Sequence, residues 1–363
     1  MDSFKSCCGK RSGWRRYTAA GPALLFAWAQ FSASSQAADL PLLTWQGQTM
    51  GSTYTVKVVG TNLAPAQINA LQAEVEQRLQ EVNRQISHYQ PDSELSRFNR
   101  APANAPFRIS AEFAALVRQS MDLNQRSGGA FDPTLGPVIN LWGFGEQTPE
   151  HKVPTQAQLE ETRRSTGFAH LRFTAAGELI KDIPDLQLNF GANGKGFGVD
   201  EMARVLLAQG LTNLYVSISG EVFVMGHNAK GTKWQVGIPA PVPDWRPGGK
   251  VATVLSLSGQ AVSTSGDYQK YFVDEHGRRL CHIIDPKTGW PVQHNLGSVS
   301  VVADSSTMAD ALSTTLFVLG PEAGLRFIET RTNVAALFIV REPNGKFRSV
   351  PSSRFDALTG YHP

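Results

Sequence analysis

Asp310 and Thr314 stand one helical turn apart in the run Ala309-Asp310-Ala311-Leu312-Ser313-Thr314. On a helix, residues at i and i+4 share a face, so a carboxylate and a hydroxyl would meet there. Such hard oxygens suit a Mg2+ whose shell is completed by water and phosphate. The same pair also describes a solvated aspartate beside a structural threonine, and spacing does not separate the two. A second constellation is Leu280 to Pro291, where His282 and Asp285 lie in a short apolar strand that ends in a turn. An imidazole there can act as a general base, because its ordinary pKa lies near working pH, or it can be a satisfied core residue. A third is Gly191-Ala192-Asn193-Gly194-Lys195-Gly196-Phe197-Gly198, which fits neither the dinucleotide fingerprint nor the P-loop pattern. A glycine-rich strand-to-helix junction can cradle a phosphate, with Lys195 adding a point charge, or serve as a tight turn with close backbone packing.

These residues need elements to position them. Ile68, Leu71, Val75, Leu79, Val82 and Ile86 recur at three- and four-residue steps, the signature of an amphipathic helix. A helix is expected after Ser110 as N-cap, ending at Gly128-Gly129, and another from about Val199 to Ala208, stopping at Gly210. Strands are expected at Leu214–Ile218, Val222–Met225, Trp234–Ile238, Val251–Leu257, Ser298–Val302 and Val334–Val340. Helices are expected over Thr307–Leu319 and Glu322–Thr330. Many strands follow one another without an intervening helix, which disfavours a doubly wound parallel sheet and points to α+β with mainly antiparallel sheets. Trp142-Gly143-Phe144 reads as core, and Tyr54 as core or cleft lining.

Composition narrows the function classes. The 363 residues are 41% hydrophobic and 18% charged, with 33 Gly and 21 Pro, which suits a loop-rich globular chain and excludes a coiled coil or collagen. The formal charge of +3 has a local source: residues 1–37 carry Lys5, Lys10, Arg11, Arg15 and Arg16 against Asp2 alone. The remainder is close to neutral, so a basic footprint for nucleic acid is absent. Three cysteines, two of them Cys7 and Cys8, make neither a disulfide framework nor a cysteine zinc site. The basic start, the apolar Tyr17–Phe31 stretch and Ser35-Gln36-Ala37 before Ala38 have the order of a cleaved secretory signal, the alternative being an uncleaved N-terminal anchor. Arg15-Arg16-Tyr17 partly resembles a twin-arginine signal. A single domain, 38–363, is expected outside the cytoplasm, in a bacterial periplasm.

Several blocks occur in one order along the chain: Met50–Tyr54, Ser87–Asn99, Gly128–Thr134, Asn189–Gly198, Ser219–Val222, Thr264–Tyr268, His282–Pro286 with Thr288-Gly289, and Ala309–Thr314. In that order the chain resembles the ApbE family, the FAD:protein FMN transferases, from about residue 50 to 320. The resemblance implies a T-fold-like domain that binds FAD in a cleft, places Mg2+ on its pyrophosphate, transfers FMN to a Ser or Thr hydroxyl of an acceptor flavoprotein and releases AMP. It implies Asp310, Thr314 and the Ala192 carbonyl as metal ligands and His282 as the base for the acceptor hydroxyl. By the same resemblance Met50, Tyr89, Ala130, Phe131 and Asp132 match flavin- and adenine-contacting positions, and Asn189, Lys195 and Asp285 match further FAD contacts. Subunits of membrane redox complexes and electron carriers for exported reductases are the acceptors it implies.

One departure stands out. Asn189 occupies a position where the family commonly has Asp, which keeps the hydrogen-bonding shape, removes the charge and adds a donor. Asn193 replaces a usual apolar residue. Two rival activities share the same cleft: a periplasmic FAD-binding protein without turnover, and a Mg-dependent FAD pyrophosphatase in which water replaces the acceptor hydroxyl.

Overall fold

The strands of the main sheet follow chain order. In the computed structural model, which describes residues 39–145, 150–243, 245–246 and 248–362, eight strands form one sheet. They run Leu42–Thr49, Ser52–Val59, Leu214–Ile218, Glu221–Met225, Gln260–Gly266, Leu296–Ala303, Ala335–Arg341 and Phe347–Pro351, each antiparallel to its neighbour. Helices and small ribbons are inserted between them, giving the α+β antiparallel architecture expected. The described residues fall in one unit beginning at Asp39. The signal expected over residues 1–37 lies outside them. Among the described residues no helix is long and apolar enough to cross a membrane.

The helix Pro65–Ile86 buries Leu71, Val75, Leu79, Val82 and Ile86 of the stripe the sequence spacing marks, with Ile68 half-buried. Each such side chain contributes about 1.5–3 kcal/mol on full burial. This helix, with Gly194–Ala208 and Ser306–Glu329, supplies the main core together with Val56, Val216, Val299 and Val301 of the sheet. Val224, Val262, Val302 and Leu337 instead join a second core with the Trp234–Pro239/Val251–Leu257 hairpin and the short helix Phe355–Thr359. The strand Leu296–Ala303 is buried at every residue, as befits an inner strand flanked by both cores. Trp142 is core as expected, its indole N–H donating to the Gly289 carbonyl at 2.8 Å. Tyr54 is core as well, and its hydroxyl donates to Glu76 at 2.6 Å.

Several expectations need correction. The helix read from Val199 begins at Gly194, so the glycine-rich segment is its first turn. The two helices expected either side of residue 320, by contrast, are both present, and they meet at a kink where Gly320 (φ 76°, ψ 178°) precedes Pro321. The strand before His282 ends at Cys281. The first hairpin and the strands Gln260–Gly266 and Phe347–Pro351 were not expected from pattern; the hairpin turns on Met50 (φ 49°) and Gly51 (φ 67°), not on an Asn-Gly pair.

Candidate active site

The first turn of Gly194–Ala208 is built for close approach. A Cβ on Gly194 would sit 3.2 Å from Ile86 Cδ1, and one on Gly198 would sit 2.9 Å from Met50 Cε. A Cβ on Gly196 would sit 2.3 Å from the carbonyl oxygen of Ser306. Three glycines therefore admit three partners, and packing overrides the low helix propensity of glycine here. This is the close-packing alternative for the segment. At Gly196 the amide is given not to a ligand but to a protein carboxylate, Asp310 Oδ2, at 3.0 Å.

Asp200, one turn further along, clamps the next helix. Its oxygens accept from the Ser306 amide at 2.7 Å, the Thr307 amide at 2.9 Å and the Thr307 hydroxyl at 2.6 Å. A carboxylate at a helix N-terminus satisfies otherwise orphaned amides and opposes the positive end of the dipole. Asp310 is thereby brought against the start of the glycine helix. It is buried, and its other oxygen accepts from the Ser263 hydroxyl at 3.5 Å. Burial and the nearby Glu221 push its carboxyl up to about 7, against the opposing charge of Lys195. Lys195 itself bonds to Glu221 Oε1 at 2.7 Å. Burial disfavours its charge, but Glu221 and Asp310 outweigh that and hold the ammonium above its ordinary range.

Thr314 lies in a patch of hydroxyls. Ser313 Oγ donates to the Asp310 carbonyl at 2.9 Å, so its 2.8 Å bond with Ser265 takes the Ser265 proton. The 3.3 Å contact between Ser265 and Thr314 is then donated by Thr314. That arrangement leaves the lone pairs of the Thr314 oxygen unused. The Ala192 carbonyl, which a continuing helix would offer to the Gly196 amide, is not taken up by it, since that amide goes to Asp310. Asp310, Thr314 and the Ala192 carbonyl are thus hard oxygen donors of the kind Mg2+ accepts. Among the described residues no trio of His, Cys, Asp or Glu forms an alternative metal cluster.

His282 is anchored twice to one carbonyl: its amide and its Nδ1 both reach the Lys270 oxygen, at 3.1 and 3.2 Å. A carbonyl only accepts, so Nδ1 carries the proton and Nε2 of the neutral ring keeps its lone pair. Burial, then the charges of Lys270 and Lys195, push its pKa down to about 4, while the backbone bond opposes them. His88 is held near 4 as well, by burial and Lys270, and its ring lies 3.8 Å from that of Tyr89. Tyr89 is half exposed and close enough to Lys195 to bear on its charge. Lys195, His282, Lys270, His88 and Tyr89 thus lie within electrostatic reach of one another in a chain that leads back to Asp310.

The remaining expected residues are held near this cluster by backbone links. Asn189 Oδ1 accepts from the Gly191 amide at 2.8 Å, closing a turn, and the Asn189 amide donates to the Pro133 carbonyl at 2.7 Å. That bond ties it to Ala130-Phe131-Asp132. Ala130 and Phe131 are buried, and Asp132 accepts from the Thr134 amide and hydroxyl at 2.9 and 2.7 Å. Burial raises the Asp132 carboxyl above its usual range despite those bonds. Met50 meets the glycine helix at Gly198. Asp285, three residues on from His282, caps its own turn through the Lys287 amide at 2.9 Å. It lines a cavity of about 460 Å3 with Arg278, Thr288, Trp290 and His294, and none of Asp310, Lys195 or His282 lines that cavity. Sequence reading gave no role to Asp200, Glu221, Ser263, Ser265, Lys270 or His88. Glu221, Ser265 and His88 lie inside blocks it singled out, which was the available signal.

Comparison with known proteins is consistent across three measures. A model described as the ApbE family matches residues 50–338. An FAD:protein FMN transferase of Haemophilus influenzae is 40% identical over 325 residues, covering 88% of this chain and 92% of its own. One from Vibrio cholerae is 40% identical over 309 residues, covering 85% and 90%. Among solved structures, the apo form of Pseudomonas stutzeri flavinyl transferase ApbE superposes with a TM-score of 0.80 at 38% identity, over 90% of this chain and 99% of that one.

Proposed function

The chain belongs to the ApbE family, and from that premise we propose that it is an FAD:protein FMN transferase, with FAD as donor and a Ser or Thr hydroxyl of another protein as acceptor. The hydroxyl oxygen attacks the flavin-side phosphorus of the pyrophosphate as its proton passes to Nε2 of His282. The new P–O bond joins FMN to the acceptor, and the bond to the other phosphate breaks, its electron pair leaving with AMP. His282 is prepared for this by the Lys270 carbonyl, which fixes the tautomer, and by burial, which keeps the ring neutral. That fixed, unprotonated Nε2, within electrostatic reach of Lys195 and through it of Asp310, is the observation that supports the reading.

Asp310, Thr314 and the Ala192 carbonyl fit a Mg2+, which when bound supplies charge neutralisation to the pyrophosphate. Lys195 supplies a second positive charge, and Asp200 and Gly196 hold Asp310 in place. Met50 packs against Gly198 and Tyr89 lies within electrostatic reach of Lys195, and the flavin and adenine contacts are proposed there. Residues 1–37 support export to the periplasm, where acceptors in membrane redox complexes or electron carriers would be met.

The test uses residues 38–363, FAD and a candidate acceptor domain, with and without Mg2+, read by intact mass. The expected result is a gain of FMN less water on the acceptor, dependent on Mg2+ and abolished by Asp310→Ala or His282→Ala. Free FMN and AMP with every acceptor would replace transfer by hydrolysis. FAD that binds and survives unchanged would make the protein a flavin reservoir.

A further inference from the structure

We propose that Glu221 is a positioning residue for this reaction: it fixes Lys195 so that the ammonium faces an anionic group of the bound substrate instead of closing on Asp310. The inference rests on the reading of Lys195 and Asp310 as residues of the FAD cleft. Glu221 is 4% exposed, and a buried carboxylate is retained only where its charge is met. It opens the strand Glu221–Met225 directly after a turn in which Ser219, not a glycine, takes a left-handed conformation (φ 60°). A non-glycine residue there stores strain that the surrounding structure must hold. The turn aims the side chain: the Gly220 amide donates to Oε2 at 3.3 Å, which leaves Oε1 for Lys195 at 2.7 Å.

The two acids are held asymmetrically. Lys195 stands in the field of both Glu221 and Asp310, so one ammonium serves two buried carboxylates. It bonds to Glu221, whereas Asp310 receives only the Gly196 amide and a 3.5 Å contact from Ser263. Among the described residues Asp310 makes no ion pair. Without the Glu221 charge the nearest carboxylate for Lys195 is Asp310, and closure of that pair would withdraw the ammonium from substrate.

Calorimetric titration of FAD into the wild type, Glu221→Gln, Lys195→Met and the double variant tests this, with melting temperatures alongside. Glu221→Gln should weaken FAD binding by about tenfold or more, the weight of a charge-assisted hydrogen bond. Lys195→Met should do the same, and the double variant should bind no more weakly than Lys195→Met alone, because Glu221 acts through Lys195. Wild-type affinity in Glu221→Gln, or losses that multiply in the double variant, would overturn the proposal. Should Glu221→Gln fold poorly, Glu221→Asp decides in its place. A loss of affinity that disappears in the Lys195→Met background supports the coupling, and one that persists there overturns it. A wild type that takes up no FAD would instead remove the functional reading itself.

Discussion

Replacing Gly196 by alanine adds one methyl at the tightest point between the two helices that hold the site. A Cβ there would lie 2.3 Å from Ser306 O, 2.6 Å from Ser306 C and 2.8 Å from Thr307 Cα. All three are backbone atoms, so no rotamer change relieves the clash. Restoring ordinary contact requires the helices to part by roughly 1 Å. Overpacking of this kind costs about 1–3 kcal/mol. The movement also stretches the 3.0 Å bond from the Gly196 amide to Asp310, and a hydrogen bond to a charged group is worth about 1.5–3 kcal/mol. Turnover should suffer along with stability, because a 1 Å misplacement near a reacting centre costs on the order of 10²-fold, about 2.7 kcal/mol in the barrier. The assay is the initial rate of covalent FMN transfer to an acceptor, measured by intact mass beside thermal melting. Gly194→Ala is the control. Its Cβ meets the Ile86 Cδ1 terminus at 3.2 Å, which can give, and Phe190 Cβ at an ordinary 3.6 Å, so both rate and melting should stay near wild type. Wild-type rates in Gly196→Ala, or equal damage from the two variants, would refute the claim that this contact positions Asp310.

His282→Gln should slow transfer by about 10²–10⁴-fold, measured as kcat with saturating FAD and acceptor. Because His282 is held down to about 4 from an ordinary 6.5, kcat/KM should not lose its base as pH falls through 6.5; a midpoint at 6.5 assigned to His282 by its loss in the variant would contradict the geometry. The same shift makes the fold less stable as pH drops from 6.5 toward about 4, since the unfolded chain takes up the proton first; pH-dependent denaturant melts of wild type and His282→Gln should differ in that window. Asp200→Ala removes the clamp on the Ser306 and Thr307 amides and should cost about 1–2 kcal/mol in urea unfolding, with a fall in Mg2+ affinity through displaced Asp310; unchanged unfolding would sink this. Asn189→Asp should melt within about 0.5 kcal/mol of wild type because either side chain can accept from the Gly191 amide, whereas Asn189→Leu should lose about 0.5–1.5 kcal/mol.

What the sequence disclosed and what it concealed divide along one physical line. The Pro65–Ile86 helix was legible because its apolar stripe repeats at helical spacing, and Leu214–Ile218 and Val251–Leu257 because short β-rich runs end at turn residues. These are local signals. The first hairpin was hidden because a methionine holds the positive-φ position where Asn or Gly would announce a turn. The start of Gly194–Ala208 was hidden because glycines lower intrinsic helicity, and only the approach of Ser306, Ile86 and Met50 explains their presence. At the site, residue types such as Asp310, Thr314 and His282 were visible in their blocks, but the bonds that orient them span the fold. Lys195 meets Glu221 across 26 residues, Asp200 meets Ser306 across 106, and Gly196 meets Asp310 across 114. Local pattern names the groups that can do chemistry, and tertiary contact decides their charge and direction. The two carboxylates around Lys195 illustrate this: both are ordinary acids in the sequence, yet one takes the ammonium and the other takes the Gly196 amide.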